Sequence, residues 1–120
     1  MSRGAGRAVR ERLDDILDAV ERTKRAEARL VRAEANGDTD GARVALDAIL
    51  YNLVVIGEAV NALPIEITDA EPAVPWRDVV DMRNFLSHEY FRVHTEVVRR
   101  TIDEPLEQLG SACTRLLAIV

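Results

Sequence analysis

The chain has 120 residues, a formal net charge of -5, 48% hydrophobic and 31% charged residues, and only six Gly and four Pro. This is the size and make-up of one helix-rich globular domain, 1–120, and it excludes fibrous, low-complexity and two-domain organisations. The acidic balance excludes a broad basic face for nucleic acid, so any polyanion site must be local and built by a few arginines.

The charge is uneven. Residues 1–36 hold nine basic and seven acidic residues, and the remainder holds seven and fourteen. Aromatics make up 4%, so the core must come from Leu, Ile, Val and Ala. Cys113 is the single cysteine and has no partner for an intrachain disulfide, and no run approaches the roughly 18 apolar residues of a membrane span. These features point to a soluble, cytoplasmic protein.

Residues 1–6 are small and glycine-bearing and are expected to fray. From about residue 7, Val9, Leu13, Ile16, Leu17 and Val20 recur at helical spacing, continuing more weakly to Leu30 and Val31. The charged side of this first helix (Arg22, Lys24, Arg25, Glu27, Arg29, Arg32) reads either as a phosphate-binding strip or as a solvated surface laced with opposite charges. Residues 35–41 carry Asn-Gly and three possible caps, Asp38, Thr39 and Asp40, and predict a tight turn. A second helix over residues 42–62 has apolar residues around more than half its circumference, with Glu58 inside the run as a carboxylate that needs a cation such as Arg83. Residues 63–75 hold three prolines and predict an irregular link with one helical turn near 65–69. Pro75 or Trp76 opens a third helix ending near residue 88, with Trp76, Val79, Val80, Met82, Phe85 and Leu86 as its apolar face. After a short link at 91–94, Thr95 caps a fourth helix over 96–117, kinked at Pro105. The result is an all-α, up-and-down bundle of four or five helices.

The chemistry concentrates in residues 82–90, Met-Arg-Asn-Phe-Leu-Ser-His-Glu-Tyr. Arg83 brings a guanidinium and His88 an imidazole, a group able to take and give protons, with Asn84 and Tyr90 close by. On a helix Asn84 and His88 share a face, as do Arg83 and Tyr90, but Arg83 and His88 lie about 140° apart. They converge only if the long Arg side chain wraps round, the helix ends near His88, or a second copy supplies the other half. Two histidines without ligand spacing do not make a zinc or di-iron centre, and one lysine without a glycine-rich loop does not make a nucleotide-triphosphate site. What remains is phosphodiester chemistry on RNA that needs neither metal nor cofactor. His88 would move the proton of a ribose 2'-hydroxyl, Arg83 would clamp the phosphoryl group, and Asn84 would orient the imidazole or bind substrate. The plain structural reading stays open beside it, with Arg83 pairing Glu58 or Asp81 and His88 capping a helix end.

Arg83-Asn-Phe-Leu-Ser-His88-Glu-Tyr90 matches the Arg-x4-His-x-Tyr signature of the HEPN superfamily of all-helical ribonucleases and resembles HepT-type toxins in particular. Ile56-Gly-Glu-Ala59, Pro75-Trp76 and Leu106 beside Pro105 extend the resemblance over most of the chain. It implies a HEPN bundle that homodimerises so that two copies of Arg83 and His88 line one cleft. It also implies metal-independent cleavage of RNA, in some members tRNA, by a toxin of a toxin-antitoxin pair. The partner would be a minimal nucleotidyltransferase antitoxin of the MntA type, which attaches AMP to the tyrosine of the motif, here Tyr90. A non-catalytic nucleotide-binding adaptor for the same nucleotidyltransferase is the rival reading. A ligand-binding bundle would need a sizeable apolar cavity, which the Leu, Ile and Val packing gives no reason to expect. His94 follows the motif closely enough to touch substrate or to be incidental.

Overall fold

A computed structural model describes residues 3–89 and 95–120, so Tyr90 and the link through His94 lie outside the described residues. Among these residues all regular structure is helical: α1 (Arg3–Ala35), α2 (Thr39–Asn61), the single turn α3 (Ile65–Thr68), α4 (Trp76–Glu89), α5 (Thr95–Ile102) and α6 (Glu104–Leu117). At 1.5 Å per residue the 33 residues of α1 run about 50 Å, which sets the long dimension of a 52 × 25 × 24 Å molecule.

α1 begins at Arg3 rather than near residue 7, and its apolar stripe buries Val9, Leu13, Ile16, Val20 and Leu30. Thr23 falls on the same stripe and is fully buried, its hydroxyl satisfied by the Ala19 carbonyl at 2.8 Å. Gly37, with φ of 67°, turns the chain in the left-handed region that glycine tolerates. Asp38 then caps α2 by accepting from the Gly41 N–H at 2.9 Å. α2 lies between α1 and α4 and buries Ala45, Ile49, Leu53, Ile56, Ala59 and Val60. By length and composition it is apolar enough to cross a membrane, yet nearly half of that stretch is buried against its neighbours.

The link to α4 is tied rather than loose. Ile67 and Val74 are buried, and the Trp76 indole donates to the Glu71 carbonyl at 3.0 Å. Arg115 of α6 donates to the Glu71 carboxylate at 2.6 and 3.1 Å, fastening the link to the far end of the chain. The expected fourth helix is broken, not merely kinked. Pro105 cannot donate to a preceding carbonyl and sits in the first turn of α6, so the chain stops at Asp103 and restarts. Val98, Ile102, Leu106, Leu109, Cys113 and Leu116 nevertheless stay buried across the break. Ion pairs from Glu34 to Arg99 and from Lys24 to Glu107 hold both pieces against α1.

α4 reaches α2 at Gly57, where a methyl group would fall within the Arg83 side chain and 3.4 Å from the Arg83 Cα. The same methyl at Gly110 of α6 would meet the Val20 side chain at an ordinary 3.7 Å. The two glycines therefore respond in opposite directions. Gly57→Ala should destabilise by about 1–3 kcal/mol through overpacking, whereas Gly110→Ala should be neutral or stabilise by about 0.5–1 kcal/mol through helix propensity. Urea unfolding of both variants checks the signs.

The Arg115 hydrogen bonds hold the Glu71 carboxyl below its ordinary value. A depressed carboxyl stabilises the fold fully above its unfolded-state pKa, and that contribution disappears as pH falls through the folded-state value. Glu71→Gln should therefore melt below the parent at pH 7, and the gap should close as the pH drops below about 4.3. Equal gaps at neutral and strongly acid pH in thermal melts would contradict this.

Candidate functional site

The described motif residues sit on the last two turns of α4 and face different ways. Leu86 is buried against α2, and Arg83 turns onto α2 with its side chain one-fifth exposed. Asn84, Phe85, Ser87 and His88 are exposed. Glu58, the residue after Gly57, puts a carboxylate oxygen 3.5 Å from an Arg83 terminal nitrogen, so the pairing expected for Glu58 is present. The Arg83 Nε is buried and finds no acceptor among the described residues. At 3.5 Å the pair orients the guanidinium without the short bidentate bonds that would occupy its whole fork. The buried Nε is out of reach of an outside oxyanion, which leaves the terminal nitrogens as the donors one could meet.

His88 is held differently. Its Nδ1 lies 2.8 Å from the backbone carbonyl of Asn84, one helical turn earlier. A carbonyl oxygen can only accept, so Nδ1 carries the hydrogen and the neutral ring leaves its lone pair on the solvent-facing Nε2. The orienting contact thus comes from the Asn84 backbone, while the Asn84 side chain is exposed. α4 continues through Glu89, so the helix does not end in time to swing His88 toward Arg83. Five residues of helix separate them by about 7.5 Å along the axis and about 140° around it. Within one protomer Arg83 faces α2 and His88 faces outward.

Among the described residues three cavities border α4, the roomiest, of about 810 Å3, running past Trp76, Val80 and Asn84; the other two bear on the motif's apolar side. One, of about 500 Å3, is bounded by Asp47, Leu50, Tyr51 and Val54 of α2 and by Leu86 and Ser87 of α4. Beside it Tyr51 is 68% exposed and Phe85 50% exposed, large apolar surfaces next to the motif. Phe85 was expected on the buried face. Its position lies about 100° from Leu86 on the helix, which carries it past the contact with α2. The second cavity, of about 370 Å3, is lined by apolar side chains including Leu53, Ile56, Val79, Met82 and Leu106, with Asp78 and Arg100 at its edge. It corrects the expectation that no sizeable apolar cavity exists: Pro105, at the break between α5 and α6, is part of its wall.

Other reactive groups are quiet. Burial pushes the Cys113 thiol up to about 12, so it holds no thiolate at neutral pH. Sequence reasoning left out Tyr51 and gave Gly57 no role beyond its place in Ile56-Gly-Glu-Ala59. The signal for Gly57 was a glycine inside a long apolar helical run, where it costs helix stability without an evident local reason.

Comparison with known proteins bears on this geometry. The profile of the family described as Ribonuclease HepT-like matches residues 16–116. A protein named "Putative RNase" from Caldanaerobacter subterraneus subsp. tengcongensis is 36% identical over 70 residues, covering 58% of this chain and 62% of that protein. The "Probable ribonuclease HepT" of Thermococcus cleftensis is 33% identical over 69 residues, covering 58% and 63%. A "Putative RNase" of Methanocaldococcus jannaschii is 41% identical over 70 residues, covering 58% and 60%. The matched segments thus span about three-fifths of these curated relatives. No solved structure matches. With the family profile running from within α1 to the end of α6 and the arginine and histidine of the motif on α4, the chain belongs to the HepT-like ribonuclease family of HEPN-type helical proteins.

Proposed function

We propose that this chain is a single-domain, metal-independent endoribonuclease toxin that acts as a homodimer in the cytoplasm. The observation that carries the reading is the His88 ring, fixed through Nδ1 by the Asn84 carbonyl so that Nε2 is free to take a proton. Arg83 supports it as a cation pinned to α2 by Glu58 with terminal donors to spare. The names of the relatives as ribonucleases support RNA as the substrate.

The chemistry follows from these groups. His88 Nε2 takes the proton of a ribose 2'-hydroxyl, and the freed oxygen attacks the adjacent phosphorus. The bond from phosphorus to the 5' oxygen breaks, and that oxygen receives a proton from an imidazolium, leaving a 2',3'-cyclic phosphate and a 5'-hydroxyl. Arg83 donates to the non-bridging oxygens as their charge grows. DNA is inert for want of the 2'-hydroxyl. Because clamp and base diverge on one protomer, the second copy completes the cleft, and exposed Phe85 and Tyr51 beside the motif suit the pairing face. Asn84 orients His88 through its carbonyl and is placed to contact substrate through its side chain.

Control of such a toxin falls to a nucleotidyltransferase antitoxin of the MntA type that transfers AMP to Tyr90. Phosphate added at Tyr90, seven residues from Arg83 in the sequence, would compete with RNA phosphate for the guanidinium. Mass spectrometry after coexpression with a nucleotidyltransferase of that type should find one or more AMP units on the Tyr90 peptide, and an unmodified peptide would leave occlusion of the cleft as the mode of neutralisation.

The catalytic claim is tested with purified chain, total tRNA and EDTA. Cleavage should persist in the chelator, yield cyclic phosphate ends, and fall by about 10²–10⁴-fold in His88→Ala, the usual worth of a general acid-base group. Equal cleavage by parent and variant would remove the His88 mechanism, and no cleavage by either together with tight binding to the nucleotidyltransferase would leave the non-catalytic adaptor reading instead.

A further inference from the structure

The mixed charges on the second half of α1 are sorted by the fold. On the flank toward α5 and α6, Glu34 pairs with Arg99, Lys24 pairs with Glu107, and Glu27 lies beside Arg99 and Asp103. The opposite flank, toward the start of α2, carries Arg25, Arg29 and Arg32. Spacings of four and three place the three on one face over about 10 Å of helix. Below them Arg22 is already bonded to Asp18 at 2.9 Å.

The sequence around these three offers few acids. The positions three and four residues from Arg29 are Arg25, Ala26, Arg32 and Ala33, and those from Arg32 are Ala28, Arg29, Ala35 and Asn36. Arg25 has Glu21 one turn before it, but Glu21 lies 3.8 Å from Lys24. Among the described residues none of the three arginines is paired with a carboxylate. Like charges at this spacing weaken a helix, so the ridge has no local stabilising role.

The ridge overlooks a groove of about 600 Å3 between α1 and α2, lined by Arg29, Arg32 and Asn36 over a floor of alanines. The one carboxylate in its wall, Asp38, is engaged in capping α2 through the Gly41 N–H. Val44, Ala45 and Ala48 of α2 line this groove, and Asp47, Leu50 and Tyr51 line the one beside the motif. The two grooves thus follow successive turns of α2 and meet near Asp47 and Ala48. The ridge on α1 and the His88 end of α4 flank that stretch from either side, about 16–20 Å apart for three helices packed in a row.

We infer that Arg25, Arg29 and Arg32 form a second binding site, a phosphate rail that holds the single-stranded RNA backbone where it leaves the cleft. The inference rests on the ribonuclease reading for its ligand, and on the sorted charge for its place. A second copy of the chain does not fit this face, because a two-fold contact would set the ridge against itself. A row of cations along a groove matches a row of phosphates, and on a chain of net charge -5 it concentrates positive potential where the polyanion passes.

The test measures binding of a single-stranded oligouridylate across a salt series, with every protein carrying His88→Ala to prevent cleavage. Each phosphate contact contributes a slope of about 0.7 in log K against log salt, so replacing all three arginines by Gln should lower the slope by about 2. Replacing all three by Lys should retain it, and the distant pair Arg7→Gln and Arg12→Gln should leave it unchanged. Circular dichroism confirms that the exposed substitutions leave the helices intact. An unchanged slope in the Gln variant overturns the rail. The same result accompanied by lost binding to a purified acidic nucleotidyltransferase partner overturns it in favour of a protein-docking face. Failure of the parent protein to cleave RNA at all would sink the ribonuclease reading itself, a result separable from either of these.

Discussion

The missing side chain at Gly57 is the constraint on which the arrangement of α4 depends. It lets the Arg83 Cα and the first atoms of its side chain settle onto the α2 backbone, closer than any other residue would permit. The next residue, Glu58, supplies the carboxylate that holds the guanidinium once it is there. Two consecutive residues of α2 thus admit the arginine and orient it. Because α4 is continuous from Trp76 to Glu89, fixing Arg83 also fixes the direction of His88 five residues on. The histidine then needs only the Asn84 carbonyl to settle its tautomer. A packing detail on one helix therefore sets the proton chemistry available on another.

The parts of this architecture that depend on neighbouring residues were legible in the sequence. Asn36-Gly37 with Asp38 specifies the turn and the cap of α2, and Pro75-Trp76 specifies the start of α4, because each acts through its own backbone and one or two adjacent groups. The apolar periodicity likewise gives the buried stripe of α1 from Val9 to Leu30, but Val31, read as its last member, is exposed. What escaped was set by distant partners. Gly57 declares itself only when Arg83 is placed against it. Phe85 belongs by composition to the apolar face, but the width of the α2 contact leaves it half exposed. Pro105 was read as a kink, and whether a proline bends or ends a helix depends on how the flanking segments pack. Here the break lets α5 lean on α1 through Arg99 while α6 packs along α1 independently.

The charged side of α1 shows the same limit. Periodicity places Arg22, Lys24, Arg25, Glu27, Arg29 and Arg32 on a helix but does not say which neighbour each will meet. Read without neighbours, the run looks laced with compensating pairs. Once α5 and α6 occupy one flank, the acids Glu27 and Glu34 and the lone lysine are drawn to that side, where Arg99 and Glu107 await them. The arginines are left on the other. The tertiary fold has sorted a stretch of mixed charge, with five basic and three acidic residues over 21–34, into one paired flank and one cationic flank, which is how an acidic protein can present a local basic feature.

The divergence of Arg83 and His88 bears on what kind of assembly could use them. For a base and a clamp to serve one phosphodiester, both must lie within hydrogen-bond reach of the same few atoms. An arginine side chain can span much of the 7.5 Å along the axis, but here it is turned inward, its Cβ packed over Gly57 and its terminal nitrogen on Glu58. Wrapping it around to His88 within one protomer would forfeit both contacts. A two-fold axis near the exposed end of α4 avoids that loss, because it brings the partner's histidine toward the open edge of this arginine while each side chain keeps its local support. On the ribonuclease reading, the inward turn of Arg83 is therefore a reason for the cleft to be shared between copies, and a catalyst of this design is inactive whenever its pairing face is occupied by something else.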